Sequence, residues 1–276
     1  MSKLPDITEY TKPLTQELLS SAQNMAEQMD LSSLDGILFM GNNALSNVGE
    51  VSSELVSVAL ETDLDSALDE ITKVAKHVTK FSRMLRHGKA LSKPNSKERI
   101  GDAYDILKIE LARVSANLDT NRRSLIRSIS LLEDINEQNL HIFQTISVTL
   151  EAGKYHISQC DLQEMDPNLM HRLEMKLSDL ETSKLVCQQT ATQIFLLRDS
   201  AIALLDRINS INDNIFPLWT TQVALALGIS TMTEGKASTA SAYSAISEAT
   251  RSLTDEITTT GKCIADTHKA IVKLKA

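Results

Sequence analysis

The feature that most constrains this chain is a spacing. From Ile100, seam-type positions recur at Tyr104, Leu107, Leu111, Val114, Leu118, Asn121, Leu125, Ser128, Leu132 and Ile135, in steps of three and four. This is the a/d repeat of helices that pack along a seam. No proline interrupts the chain between Pro94 and Pro167. The spacing therefore predicts one very long helix, continuing less regularly through Leu140, Phe143, Ile146 and Leu150. Asp166-Pro167 restarts a helix, because proline suits a first turn that has no N–H to satisfy. Met170, Leu173, Leu177, Leu180, Cys187, Ala191, Ile194, Ala201, Leu205, Ile208 and Ile215 then repeat the pattern, with Leu197, Leu204 and Ile211 widening the face. A third run steps from Tyr243 through Ile246, Thr250, Leu253, Ile257, Thr260, Ile264, Thr267 and Ile271 to Leu274.

Breaks are expected at 161–167 and 213–222, and short connections make neighbouring helices antiparallel. The expected fold is all-α: an elongated antiparallel bundle of three long coiled-coil-like helices with shorter N-terminal helices. Before the bundle, a helix follows Pro13. Ser32 to Gly41 reads as connection, with Ile37, Leu38 and Phe39 docking as an apolar patch. Further helices are expected over Asn43–Glu61 and from an Asp63 cap to Gly88, the latter packing against one end of the bundle. Lys89 to Asn95 reads as a linker, and Ser96 as an N-cap. The chain divides by pattern into an N-terminal helical segment at 1–30, short helices and a basic linker at 31–95, and a long-helix bundle at 96–276.

Composition narrows the function classes. The formal net charge is −8, which disfavours phosphate backbones outside a local basic patch. One such patch runs from Lys80, Arg83, Arg86, His87 and Lys89 to Lys93, Lys97 and Arg99, without aromatic pairs for stacking on bases. Arg122, Arg123 and Arg127 read as a solvated helix face. Nucleic acid is not expected as a partner. Cys160, Cys187 and Cys263 are odd in number and far apart, which fits a reducing compartment. The N-terminus has no signal-peptide pattern, and no run reaches the ~18 apolar residues of a transmembrane helix. A cytoplasmic location is expected.

The sequence has no GxSxG, HExxH, P-loop or GxGxxG pattern, so no catalytic residue, cofactor or metal site is assigned and no enzymatic activity is expected. His171 and Glu174 make a lone, reversed version of a carboxylate–histidine pair, and they read as surface residues. Polar residues in seam steps are more informative. Asn121, Lys184 and Arg198, with Asn212, fall where apolar residues are expected, and one such residue can fix register. The long charged side chains have the alternative of snorkelling to water. The most distinctive stretch is Phe216-Pro217-Leu218-Trp219, followed by Gln222 and the apolar run to Leu227. It holds the single tryptophan and a helix-breaking proline. It reads as an interhelical corner, with Phe216 and Trp219 covering a bundle end or a partner docking there.

Pro217-Leu218-Trp219 with Gln222, then Val223-Ala224-Leu225-Ala226-Leu227, resembles the corner of the toxic anion resistance family, the TelA (KlaA) proteins of bacteria and plasmids. The similarity extends over Gly41–Val74, the basic connector Phe81–Lys97, the long helix Leu107–Gly153 and the small-residue-rich stretch Thr239–Leu274. Thr220-Thr221 departs from the basic or polar pair commoner in the family. The resemblance implies a cytosolic bacterial protein tied to tellurite tolerance and cell-envelope stress. The expected role is a scaffold that engages other proteins through helical surfaces and the Trp219 corner, with self-association as one use of the same stripes. Two alternatives stand beside it: direct or thiol-dependent handling of a toxic anion or metal, and weak contact of the Arg83–Arg99 patch with an anionic membrane surface.

Overall fold

The computed structural model describes residues 6–31, 33–61, 64–86, 96–159, 166–232 and 236–274. All regular structure among them is helical. A 3-10 turn (Ile7–Tyr10) precedes α1 (Gln16–Gln28), α2 (Leu34–Phe39), α3 (Asn42–Glu61) and α4 (Leu64–Arg86). The long helices are α5 (Ser96–Gln159), α6 (Pro167–Asn209), α7 (Phe216–Met232) and α8 (Lys236–Leu274), with a π turn, Ser210–Ile215, joining α6 to α7. The contacts divide the chain into two compact units, 1–59 with 130–198 and 60–129 with 199–276. Each of α5 and α6 contributes residues to both.

In the first unit, α1 starts at a threonine cap: Thr15 Oγ1 accepts the Leu18 N–H. Ala22 and Ala26 then lie against Val148 and Ala152 of α5, and alanine on alanine lets the two backbones approach closely. Asp166 Oδ1 accepts the Asn168 N–H at 2.9 Å and opens α6, with Pro167 in its first turn as expected. α5 and α6 run antiparallel here. Asn139 Nδ2 donates to the Cys187 carbonyl at 2.9 Å, and Lys154 pairs with Glu181 at 3.0 Å, so numbers rise on one helix as they fall on the other.

Several expectations for this unit need correction. The stretch read as connection contains α2, capped by Ser33 Oγ accepting the Gly36 N–H. Of its apolar patch only Ile37 docks; Leu38 and Phe39 are exposed, because one turn of helix turns a single face inward. The seam of α5 passes through Asn139, not Leu140: Ile135, Asn139, Phe143, Ile146 and Leu150 keep the three/four steps and Leu140 falls beside them. The linker 89–95, Gly88, Cys160 and Met165 lie outside the described residues.

The second unit is a four-helix arrangement of α4, the first half of α5, the α6–α7 stave and α8. Each neighbouring pair is antiparallel. Glu70 meets Arg113 at 3.3 Å, and Asn212 Nδ2 donates to the Ser115 carbonyl at 3.1 Å. Arg207 pairs with Glu256 at 2.7 Å, and His268 approaches Asp65 at 3.5 Å. The up-down-up-down order follows from the short connections. Thus α4 does not pack against one end; it is a full stave lying along α8, with Ile71 against Gly261. On α8 the predicted positions Ile246, Thr250, Leu253, Ile257, Thr260, Ile264, Thr267 and Ile271 are all buried. Two of their threonines pair with their own helix: Thr250 Oγ1 donates to the Ile246 carbonyl at 2.7 Å and Thr267 Oγ1 to that of Cys263 at 2.9 Å, whereas the Thr260 hydroxyl is buried without a partner among the described residues.

The expected break at 213–222 is the main correction to the long helices. No corner forms there, and helical backbone continues from Pro167 to Met232 through the π turn. Among the described residues, no helix is long and apolar enough to cross a membrane.

Between α2 and α3, Gly41 has φ +70°, and an added Cβ would stand 2.9 Å from Leu180 Cδ2. Gly41→Ala should therefore destabilise the protein by about 1–2 kcal/mol, read as a lower urea midpoint. An unchanged midpoint would contradict this backbone assignment.

Candidate functional site

The π turn is the local cause of everything at the Pro-Leu-Trp motif. A proline inside an α-helix clashes with the carbonyl four residues back and donates no hydrogen bond. At this position the chain widens by one residue: the Phe216 N–H reaches five residues back to the Ile211 carbonyl. Pro217 then enters the first turn of α7 with its ring on the outside. The extra residue also resets the phase of the inward face. Ile208, Ile211 and Asn212 precede the turn on that face, and Phe216, Trp219, Val223 and Ala226 resume it afterwards.

Trp219 is 2% exposed and touches every stave of the second unit. Its Nε1 donates to Thr250 Oγ1 of α8 at 3.3 Å. Phe81 of α4 meets it edge-on and Tyr104 of α5 lies tilted beside it, both with centroids at 5.7 Å. Tyr104 OH donates to the Thr220 carbonyl at 3.1 Å, closing the layer. Burial raises the pKa of the Tyr104 phenol, so it remains this donor at neutral pH. Tryptophan and tyrosine belong in such a layer because their apolar bodies fill it and their polar tips find partners.

The motif therefore splits in two. Phe216 and Trp219 point into the core, whereas Pro217, Leu218 and Gln222 are exposed. Leu218 and Gln222 share their face with Leu225 and Ile229, which are 62% and 54% exposed. Facing them on α8 are Ser241, Ala242, Ala245, Ala249 and Ser252, and together they line an open groove of about 630 Å³. α7 carries no charged residue from Phe216 to Met232; among the described residues, the one charged side chain lining the groove is Glu248.

Of the seam residues the spacing singled out, Asn212 bonds across to a neighbouring helix. Asn121 Nδ2 donates to the Asn117 carbonyl of its own helix. The link between α5 and the π turn is made by Asn212, whose Nδ2 also lies 3.4 Å from Asp119 Oδ1. Beside it, Arg122 donates to Asn209 Oδ1 at 3.3 Å and approaches Asp213 at 3.6 Å. Arg122 is thus an interhelical clip, in contrast to the solvated face expected of it. Lys184 and Arg198 are half-buried, with their charged heads over the rings of Phe143 and Phe195 at 5.2 and 5.0 Å.

Sequence reasoning missed a second polar layer in the first unit. Tyr10 is 2% exposed, and its hydroxyl donates to Asn136 and accepts from Asn139 Nδ2 at 3.0 Å. Gln188 Nε2 donates to the Tyr10 carbonyl at 2.8 Å. Carrying the three/four count one step past Ile135 would have found Asn139. Nothing local marks Tyr10, which sits in a single turn outside every periodic run.

Of the described thiols, Cys187 is buried and Cys263 is half-buried. Cys187 is 0% exposed, and burial pushes its pKa up to about 11; burial also raises that of Cys263. Reactive thiols are shifted the other way. His171 and Glu174 are exposed, and among the described residues no group of histidine, cysteine or carboxylate side chains is placed to hold a metal. Native protein at pH 8 should therefore leave Cys187 unmodified by iodoacetamide, whereas urea-unfolded protein should be alkylated there, as read by peptide mass. Rapid native labelling of Cys187 would refute the burial.

Replacing Trp219 should act on stability. Trp219→Ala should cost about 3–5 kcal/mol, and Leu218→Ala, at an exposed position, within about 0.5 kcal/mol, measured by chemical denaturation.

The model of the toxic anion resistance protein (TelA) family matches residues 22–273. A TelA-like protein of Staphylococcus saprophyticus is 22% identical over 256 residues, covering 80% of this chain and 67% of its own. The YaaN protein of Bacillus subtilis is 24% identical over 244 residues, covering 78% of this chain and 63% of its own. The chain thus spans about two thirds of the length of these relatives. No solved structure matches it. With the family's match running from α1 through the Trp219 layer to the end of α8, this chain belongs to the TelA toxic anion resistance family.

Proposed function

We propose that the protein is a non-enzymatic adaptor in bacterial tolerance of toxic anions and envelope stress, gripping a helix of another protein in the α7–α8 groove. The observation that carries this reading is the character of α7. Its 17 residues include no charge, yet Leu218, Leu225 and Ile229 stand exposed beside a strip of alanine and serine. Exposed apolar side chains gathered on one face are costly to leave in water and mark contact surfaces. Small residues opposite them make room for a helix to lie close, and the uncharged floor selects an apolar partner face.

The reading also assigns the two halves of the Pro-Leu-Trp motif separate jobs. Phe216 and Trp219 anchor the groove's floor, and Leu218 and Gln222 form its wall. The double substitution Leu218→Glu with Leu225→Glu should abolish tellurite tolerance in a dependent strain while leaving helicity and melting temperature unchanged. Full tolerance in that variant would end the groove reading. Trp219→Ala is a poor test by comparison, since unfolding and loss of contact give the same phenotype.

A thiol-based reading has less support, because Cys187 is buried, Cys263 is half-buried, and burial raises the pKa of both. Its test is the Cys160→Ser, Cys187→Ser, Cys263→Ser variant. Loss of protection without loss of fold would revive it, and full protection would exclude it.

A further inference from the structure

A second cavity, distinct from the α7–α8 groove, lies between the last turns of α4 and the first turns of α5. It encloses about 340 Å³. Phe81 and Leu107 are buried at its floor, Met84 is half-buried, and Ile106 forms a lip 59% exposed. Its rim carries Lys80, His77 and Arg99, opposed by the single carboxylate of Asp102.

The charge here runs against the rest of the molecule. The chain as a whole is acidic, at −8, yet the sequence from Lys80 to Lys97 contains no acidic residue. Among the described residues, neither Lys80 nor Arg99 is paired with a carboxylate. Arg99 also stands in the first turn of α5, at the positive end of that helix, where a cation is disfavoured. Lys80 and Arg99 thus flank one apolar hollow, with Glu98 in the first turn of α5 and Asp102 on the rim as the carboxylates beside them. An anion seated there would relieve their mutual repulsion.

We infer that this α4–α5 cavity docks an acidic peptide segment of a partner protein, one large apolar side chain filling the hollow and flanking carboxylates meeting Lys80 and Arg99. The volume suits one or two side chains. An anionic bilayer fits less well: a recessed hollow of about 340 Å³ takes a protruding apolar side chain, which a plane of headgroups does not present. The inference rests on the adaptor reading for its choice of a protein partner. It concerns a different surface, however, so its failure leaves the α7–α8 groove standing.

The test uses the full chain and two synthetic helical peptides. One is built of leucine at three/four spacing with glutamate elsewhere, and the other has lysine in place of every glutamate. A third arm uses vesicles of one part phosphatidylglycerol to three parts phosphatidylcholine. The glutamate peptide should bind saturably by fluorescence anisotropy. Binding should weaken at least about tenfold in Lys80→Glu or Arg99→Glu, weaken with added salt, and be lost in Ile106→Ser. All three positions are exposed, so circular dichroism should remain that of the natural chain. Absence of saturable binding, equal binding of the lysine peptide, or indifference to these substitutions would overturn the inference. Vesicle binding lost in the same variants, without peptide binding, would overturn it in favour of a lipid surface.

Discussion

Two long helices packed side by side must keep their apolar faces in phase, and an ideal α-helix does not do so for a three/four repeat. The face drifts by about 20° per seven residues. Left uncorrected over the length of α6 and α7, that drift would carry the seam out of the core. Here the chain inserts a residue at Ser210–Ile215, and the inward positions resume at Phe216 and Trp219. The aromatic layer, the α7–α8 groove and the Asn212 link to α5 all depend on that correction.

Proline and π turn belong to one device. Pro217 donates no hydrogen bond, so a normal α turn at this point would lose one and suffer a clash. The wider turn removes the clash, and Asn212 and Arg122 tie the loosened backbone to α5 through Ser115, Asp119 and Asn209. The two buried polar layers, at Tyr10 and at Trp219, serve their units alike: each pairs an aromatic residue's polar tip with an uncharged side chain from another helix. Such pairs favour one register, because a shifted helix leaves donors without acceptors.

The long helices were legible in the sequence because their signal is repeated many times. Ile100 to Ile135 and Ile246 to Ile271 read as seams, and nearly every such position is buried. What was not legible was local. Pro217 followed by Trp219 looked like a corner because a proline usually ends a helix, and nothing in the spacing reports a turn wider by one residue. Asn121 looked like a register residue by position, but its amide found a nearer partner on its own helix. Tyr10 depends on residues more than a hundred positions away, which no window of sequence contains. At the site, the sequence marked the Phe216–Gln222 segment as distinctive. Which of its side chains face water depended on the rotation that the π turn imposes.

That rotation bears on how such a surface could change. α7 is apolar on all sides, so its own sequence scarcely distinguishes one face for burial from another. The selection is made upstream, by where the widened turn leaves the helix pointing. Losing the extra residue would swing α7 by about 100° about its axis, the angle one α-helical residue subtends. A different set of leucines would then be displayed, with no side chain in α7 altered. The surface that this helix offers is in that sense written in the backbone that precedes it.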